Sequence, residues 1–227
     1  MAETLNIVFV LFPNLTQLDF TGPLQVLSRL PGSKVYLAAK SMDAIPTDAV
    51  LTLNPTCMFS DCPPADVLCV PGGFGVDDAI LDEELMGFVK REGARAKYVT
   101  SVCTGSYILG AEGLLNGKRA TTHWAYHEAL TDVGAIPVKE RVVRDGNIFT
   151  GGGVTAGIDF AFTLAAEIAG DEFAKALQLG LEYDPAPPFD CGSPGKSTNE
   201  ALDAMNQRYR PRFEEFRGKL ALAMKTQ

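Results

Sequence analysis

Thr100-Ser101-Val102-Cys103-Thr104-Gly105-Ser106 sets a cysteine where an apolar, β-branched strand pattern turns directly into a helix of small residues. A side chain on so sharp a strand-to-helix turn projects from the carboxyl end of the strand, the arrangement of a nucleophile elbow. Backbone amides and the positive end of the following helix favour thiolate over thiol there. A free cysteine titrates near about 8.5, and helix-start sites lower that by one to several units, so an ionised Cys103 is expected at neutral pH. The bland alternative is a buried structural thiol, the reading that suits Cys69 within its own strand. Asp19, in Leu18-Asp19-Phe20-Thr21-Gly22-Pro23, stands between apolar neighbours at the start of a helical pattern. It is either an N-cap or a desolvated acid that donates and recovers a proton beside the thiolate. Pro71-Gly72-Gly73 ends another buried strand, and glycines there let amides approach closely. The Gly73 and Thr104 N–H groups are expected to converge beside the Cys103 sulfur and stabilise negative charge, although a tight turn explains the Gly-Gly pair equally well. His123 and His127 share one helical face and lack the HExxH pattern of a zinc hydrolase. His123 is either a base or a cap and packing residue beside the sole tryptophan, Trp124.

These residues need strands and helices to hold them. Leu5–Leu11 is a continuous apolar run closed by Phe12-Pro13-Asn14, as expected for a strand buried on both faces of a parallel sheet. Asp19–Leu30 follows with helical spacing and a Pro31-Gly32 stop. Further strands are expected at Val35–Ala39, Val50–Leu53, Val67–Val70 and Lys97–Val102. Helices are expected at Ala79–Arg95, Thr104–Leu115 and Thr155–Ile168. Asp145-Gly146 between Arg141–Arg144 and Ile148–Thr150 is a hairpin signal. The alternation of strand and helix predicts an α/β sandwich with a mostly parallel sheet, whose site lies at the carboxyl ends of its strands. The Pro- and Gly-rich stretch Asp184–Gly195 separates this unit, residues 1–195, from a C-terminal helical extension, 196–227. That extension is expected to pack on the domain or on a dimer partner, with a break before Pro211.

The chain has 227 residues, 46% of them hydrophobic and 21% charged, enough apolar content for a substantial core. With 20 basic and 28 acidic residues the formal net charge is −8, which argues against a surface for nucleic acid or anionic lipid. From Lys196 onward 7 basic and 4 acidic residues leave the extension at +3, most simply a solvated amphipathic helix. No apolar stretch reaches the roughly 18–20 residues of a spanning helix. Met1–Thr4 is acidic and lacks the basic start of a secretory signal, so a cytoplasmic protein is expected. Five cysteines without CxxC spacing suggest free thiols and no dedicated metal site.

Together, Leu18-Asp19 with Thr21-Gly22-Pro23, Pro71-Gly72-Gly73, Ser101-Val102-Cys103-Thr104-Gly105 and Ala120-Thr121-Thr122-His123-Trp124 resemble the DJ-1/PfpI superfamily over nearly the whole chain. Gly117–Glu128, Glu140–Asn147 and Gly151–Phe160 look like its isocyanide hydratase branch. The resemblance implies a flavodoxin-like three-layer sandwich, a homodimer, and hydration of an organic isocyanide to an N-substituted formamide without metal or organic cofactor. It matches Cys103 to the nucleophile, Asp19 to the partner acid and Thr104 to the residue beside the nucleophile. Thr104 stands where the protease-like branch has His, which makes peptidase activity doubtful, and Val154 stands where Ile is expected. Asp19 stands where the branch typified by DJ-1 has Glu, which weakens the reading as a cofactor-independent glyoxalase acting on 2-oxoaldehydes. A non-enzymatic cysteine redox sensor is the third reading, because an accessible low-pKa thiol oxidises readily. DNA binding ranks last, since some 30 residues after Lys196 are too few for a helix-turn-helix domain of usual size.

Overall fold

The apolar run at the N-terminus forms β1 (Leu5–Val10), an interior strand of a computed structural model that describes residues 4–225. Met1–Glu3, on which most of the reading of the N-terminus rests, lie outside the described residues, as do the last two of the extension. The chain continues through α1 (Gln17–Leu27), β2 (Ser33–Ala39), a small hairpin of β3 (Ile45–Pro46) and β4 (Thr52–Leu53), and β5 (Cys57–Met58). Then come β6 (Val67–Val70), the short α2 (Val76–Ala79), α3 (Glu83–Gly93), β7 (Tyr98–Val102) and α4 (Ser106–Ala111). β8 (Arg119–Ala120) and β9 (Ile136–Pro137) form a second small ladder around a 3₁₀ run, Trp124–Val133. The hairpin β10 (Val142–Asp145) and β11 (Ile148–Gly151) precedes α5 (Ala156–Ala169), α6 (Asp171–Gly180) and the long α7 (Asn199–Ala223).

Seven strands make one sheet in the order β10-β11-β7-β6-β1-β2-β5, parallel throughout except for β10 at the edge. Its middle strands are buried nearly end to end, with Ile7, Val8, Val10, Val67, Leu68 and Phe149 at 0% exposure. That is why they read as unbroken apolar runs and not as alternating patterns. α1 packs against α5, and α5 against α6. On the other side α4 contacts α3, the 3₁₀ run and α7. This is a flavodoxin-like α/β sandwich. The chain steps outward from β1 to β2 and then returns to β6 on the other side of β1, so the strand order reverses there. The crevice at such a reversal, outside the carboxyl ends of the strands, is where this class of sheet places its ligands.

Several elements differ from expectation for identifiable reasons. The helical pattern Ala79–Arg95 is split, because the Asp82 carboxylate accepts from the Glu84 and Leu85 N–H groups and starts a separate helix. α4 stops at Ala111, before Gly113 turns into the left-handed region at φ 72°. α6 lies outside the expected helices, although its amphipathic spacing and the acidic Asp171 and Glu172 of its first turn mark it as one. α7 runs unbroken through Pro211, which is exposed and denies a hydrogen bond only to the Gln207 carbonyl. The helix is held on both sides of that position, as Tyr209 and Phe213 pack on the aromatic side chains of the 3₁₀ run. It docks on its own chain.

Candidate active site

β7 ends at Val102 in extended backbone, and the next residue, Cys103, has φ 55°. A side-chain-bearing residue pays about 1–2 kcal/mol for that left-handed conformation. The surroundings fix it. The Cys103 N–H donates to the Gly152 carbonyl at 2.9 Å, and its carbonyl accepts from Thr122 Oγ1 at 2.8 Å and Ser106 Oγ at 3.2 Å. With both backbone groups taken, the thiol alone is left to face the site, and the residue is only 6% exposed.

Three strand ends supply what surrounds the sulfur. β11 lies beside β7 with Gly151 opposite Val102, so the turn after β11 brings the Val154 N–H to the sulfur. Val154 is itself held at φ 24°, an unusual value for a β-branched residue. The Thr104 N–H and hydroxyl are the other donors. Asp19 reaches the sulfur from α1, where Thr16 and not Asp19 takes the N-cap position, so the capping alternative falls away. Asp19 Oδ2 accepts from the Gly72 N–H at 3.0 Å. Its Oδ1 is buried with no N–H or O–H partner. A Cβ on Gly72 would sit 2.6 Å from the Thr104 nitrogen and 2.9 Å from Asp19 Oδ2, so only glycine lets the loop, the acid and the elbow meet.

The Gly73 amide is not turned to the sulfur as expected. It donates to Thr104 Oγ1 at 3.0 Å, and that hydroxyl is also 3.2 Å from the Gly73 carbonyl. The single Thr104 proton therefore has two acceptors to choose from, the Gly73 carbonyl and the Cys103 sulfur. The amides at the sulfur are those of Thr104 and Val154. In the sequence Val154 stands out as the residue found where Ile is expected, but nothing there names its N–H as a donor to the sulfur.

Burial governs the charges. Asp19, 1% exposed, has its pKa pushed up to about 7 by desolvation, against the lowering effect of the Gly72 amide and the Cys103 thiol. Burial and the Asp19 charge push the Cys103 thiol up as well, and these outweigh the Val154 and Thr104 amides. The expected lowering by a helix start is reversed here. One reason is that the residues after Cys103 form a 3₁₀ turn and then a helix of only six residues, a weak dipole. The two groups act as a pair, so above about pH 7 they hold one proton between them.

The His123 ring packs against Gly153, next to Val154, and neither histidine is among the groups hydrogen-bonded to the pair. His123 caps the 3₁₀ run, its Nδ1 accepting from the Ala125 N–H at 3.3 Å, and its ring lies 5.1 Å from that of Tyr209 and 5.7 Å from that of Trp124. Burial lowers its pKa to about 4, so it is neutral. His127 Nε2 is 3.0 Å from the Val138 carbonyl. Among the described residues no cluster of three or more His, Cys, Asp or Glu side chains is placed to hold a metal ion. A recess of about 1360 Å³ between the 3₁₀ run and α7 is lined by Trp124, His127, Tyr209, Phe213 and Arg217, and none of Asp19, Cys103 and Thr104 borders it.

The chain is similar to known proteins in sequence and in fold. Isonitrile hydratase from Pseudomonas putida is 56% identical over 207 residues, 91% of each chain. The crystal structure of a THiJ/PfpI family protein from Pseudomonas syringae superposes with a TM-score of 0.94 at 42% identity, covering 96% of this chain and 91% of that one. Drosophila melanogaster DJ-1beta, at 23% identity, shares the fold with a TM-score of 0.68 over 79% of this chain and 98% of its own. The DJ-1/PfpI family profile matches residues 5–167, which span the sheet from β1 to β11, the elbow and both glycine turns, and the chain belongs to the DJ-1/PfpI family.

Proposed function

We propose that this chain is an isocyanide hydratase, adding water to an organic isocyanide to give an N-substituted formamide. Isonitrile is another word for isocyanide, and the extent of identity to the Pseudomonas putida enzyme supports the assignment. The observation that carries the chemistry is the buried contact of Cys103 with Asp19 under the Thr104 and Val154 amides. An isocyanide carbon carries no hydrogen and accepts a nucleophile, so it needs both a thiolate and an acid at one atom.

In the proposed sequence the pair reacts with its proton on Asp19 and its charge on sulfur, where two amides stabilise it. The thiolate attacks the terminal carbon, and Asp19 gives its proton to that carbon, leaving a thioimidate, RN=CH–S–Cys103. The Asp19 carboxylate then takes a proton from water as the oxygen adds to the same carbon, and passes it to nitrogen. Collapse of RNH–CH(OH)–S–Cys103 breaks the carbon–sulfur bond, returns the hydroxyl proton to Asp19 and frees RNH–CHO with the thiolate restored. Thr104 holds charge on sulfur during attack and collapse. In this scheme Gly73 acts one step back, by orienting the Thr104 hydroxyl.

We propose further that residues 1–195 form the catalytic unit with 196–227 as its helical extension, and that the chain works as a cytoplasmic homodimer. Exposed Leu179 and Phe189, at 82% and 74%, supply apolar surface for a partner, and five free cysteines suit a reducing compartment. No helix among the described residues is long and apolar enough to cross a membrane. The test is product analysis with an aryl isocyanide and, in parallel, methylglyoxal. Formamide from the first without lactate from the second is expected, and lactate without formamide would overturn the assignment.

A further inference from the structure

α7 lies beyond the residues that the family profile matches, yet it reaches the loop that serves the catalytic pair. That loop runs from the end of β6 through Gly72, whose N–H holds Asp19, and Gly73, whose N–H holds Thr104, into α2. Phe74 comes next. Its ring is 38% exposed, and the Arg212 guanidinium of α7 sits over its face, 4.0 Å from the centroid. One turn of α2 further on, Asp78 accepts from Lys219 Nζ of α7 at 2.9 Å. Between these contacts Asp77 is partly buried, with Lys219, Arg212 and Glu215 of α7 around it. Two cations two turns apart on one helix thus grip both ends of the five-residue segment 74–78, which directly follows the two glycines that orient the acid and the threonine.

We infer that α7 is a strap that positions the catalytic loop, with Arg212 as the positioning residue acting through Phe74 on the Gly72 and Gly73 amides. Arg212 does not touch the reacting atoms. Its effect is to keep the Gly72 N–H on Asp19, where that hydrogen bond favours the ionised carboxyl. Loosening the loop weakens the bond, so Asp19 keeps its proton to higher pH and the pair passes later into the one-proton state in which the sulfur can carry the charge. The inference rests on the hydratase reading for its effect on turnover, but the protonation of the pair is measurable without any isocyanide.

The experiment follows iodoacetamide alkylation of Cys103 by peptide mass mapping across pH 5.5–9.5, together with kcat and KM for an aryl isocyanide. The proteins are wild type, Arg212→Ala, Arg212→Lys and Arg217→Ala. Arg217 pairs with Asp132 at 2.6 Å elsewhere on α7 and controls for general loosening of the helix. Arg212→Ala is expected to move the alkylation midpoint upward by about half a pH unit, a roughly threefold change in the equilibrium, and to lower kcat about three- to tenfold with KM within twofold. Arg212→Lys should restore most of both, and Arg217→Ala should match wild type. An unmoved midpoint in Arg212→Ala would overturn the inference whatever happens to kcat. An equal shift in Arg217→Ala would overturn it too. If no protein turns over isocyanide, the hydratase reading fails while the alkylation midpoints still decide the role of the strap.

Discussion

Replacing Asp19 by Asn should make the protein more stable, and more so at higher pH. The folded pair holds the Asp19 proton up to about pH 7, whereas an unfolded Asp releases it near 3.8. Between those values the folded state binds more protons than the unfolded state, so stability falls as pH rises. Each pH unit is worth about 1.4 kcal/mol, so the whole interval costs the folded protein on the order of 4 kcal/mol. Between pH 5 and pH 8 the wild type crosses about two of those units, a loss of about 3 kcal/mol that Asn cannot suffer. Asn still presents an oxygen to the Gly72 N–H, so the local structure is kept. For a chain of this size the gain corresponds to a widening of the Tm gap by roughly 6–12 °C between the two pH values. Thermal unfolding of both proteins at pH 5, 6, 7 and 8 measures it. A Tm difference that is independent of pH, or that narrows upward, would refute the claim that burial holds Asp19 protonated. Turnover by the same variant should fall by about 10²-fold or more, the usual scale of proton-transfer catalysis.

Other expectations follow from the same geometry. The pH profile of kcat/KM should rise through about pH 7 as the pair loses its first proton, and a profile flat from pH 5.5 to 8.5 would contradict the shared-proton account. Gly72→Ala places a methyl 2.6 Å from the Thr104 nitrogen, so activity should fall at least 10²-fold with about 1–3 kcal/mol lost in urea unfolding. Glu92 lies remote from this chemistry, fully buried, where it accepts from Arg95, Arg91 and the Ala65 N–H. Glu92→Ala leaves the buried Ala65 N–H without its acceptor while the half-exposed Arg91 and Arg95 return to solvent, so it should cost about 1–3 kcal/mol in unfolding experiments with kcat unchanged.

The parts of the fold that proved legible are those where one physical signal dominates. β1 and β6 read as strands because burial on both faces favours near-continuous apolar runs, whereas β10 and β11 are legible through the Asp145-Gly146 turn between them. The elbow is legible because a nucleophile at a one-residue turn between strand and helix leaves a local trace around Cys103. What stayed hidden is long-range. That Val154 donates to the sulfur depends on β11 lying next to β7, a pairing set by the whole sheet. Gly73 is expected to turn its N–H to the Cys103 sulfur but gives it to the Thr104 hydroxyl, a pairing that local sequence does not specify. The sign of the Cys103 shift also escaped local reasoning, because a helix start lowers a thiol pKa while burial and a neighbouring carboxylate raise it. The continuity of α7 through Pro211 depends on docking against Tyr126, which helix propensity does not register.

The central claim is that Cys103 forms a covalent bond to the isocyanide carbon, and rapid-quench mass spectrometry of the enzyme during turnover tests it most directly. The account predicts a Cys103 peptide heavier by the whole mass of the isocyanide, appearing before formamide and decaying as formamide accumulates, with neither adduct nor product from Cys103→Ala. Formamide produced at an undiminished rate by Cys103→Ala, with no adduct on the wild-type peptide, would contradict it.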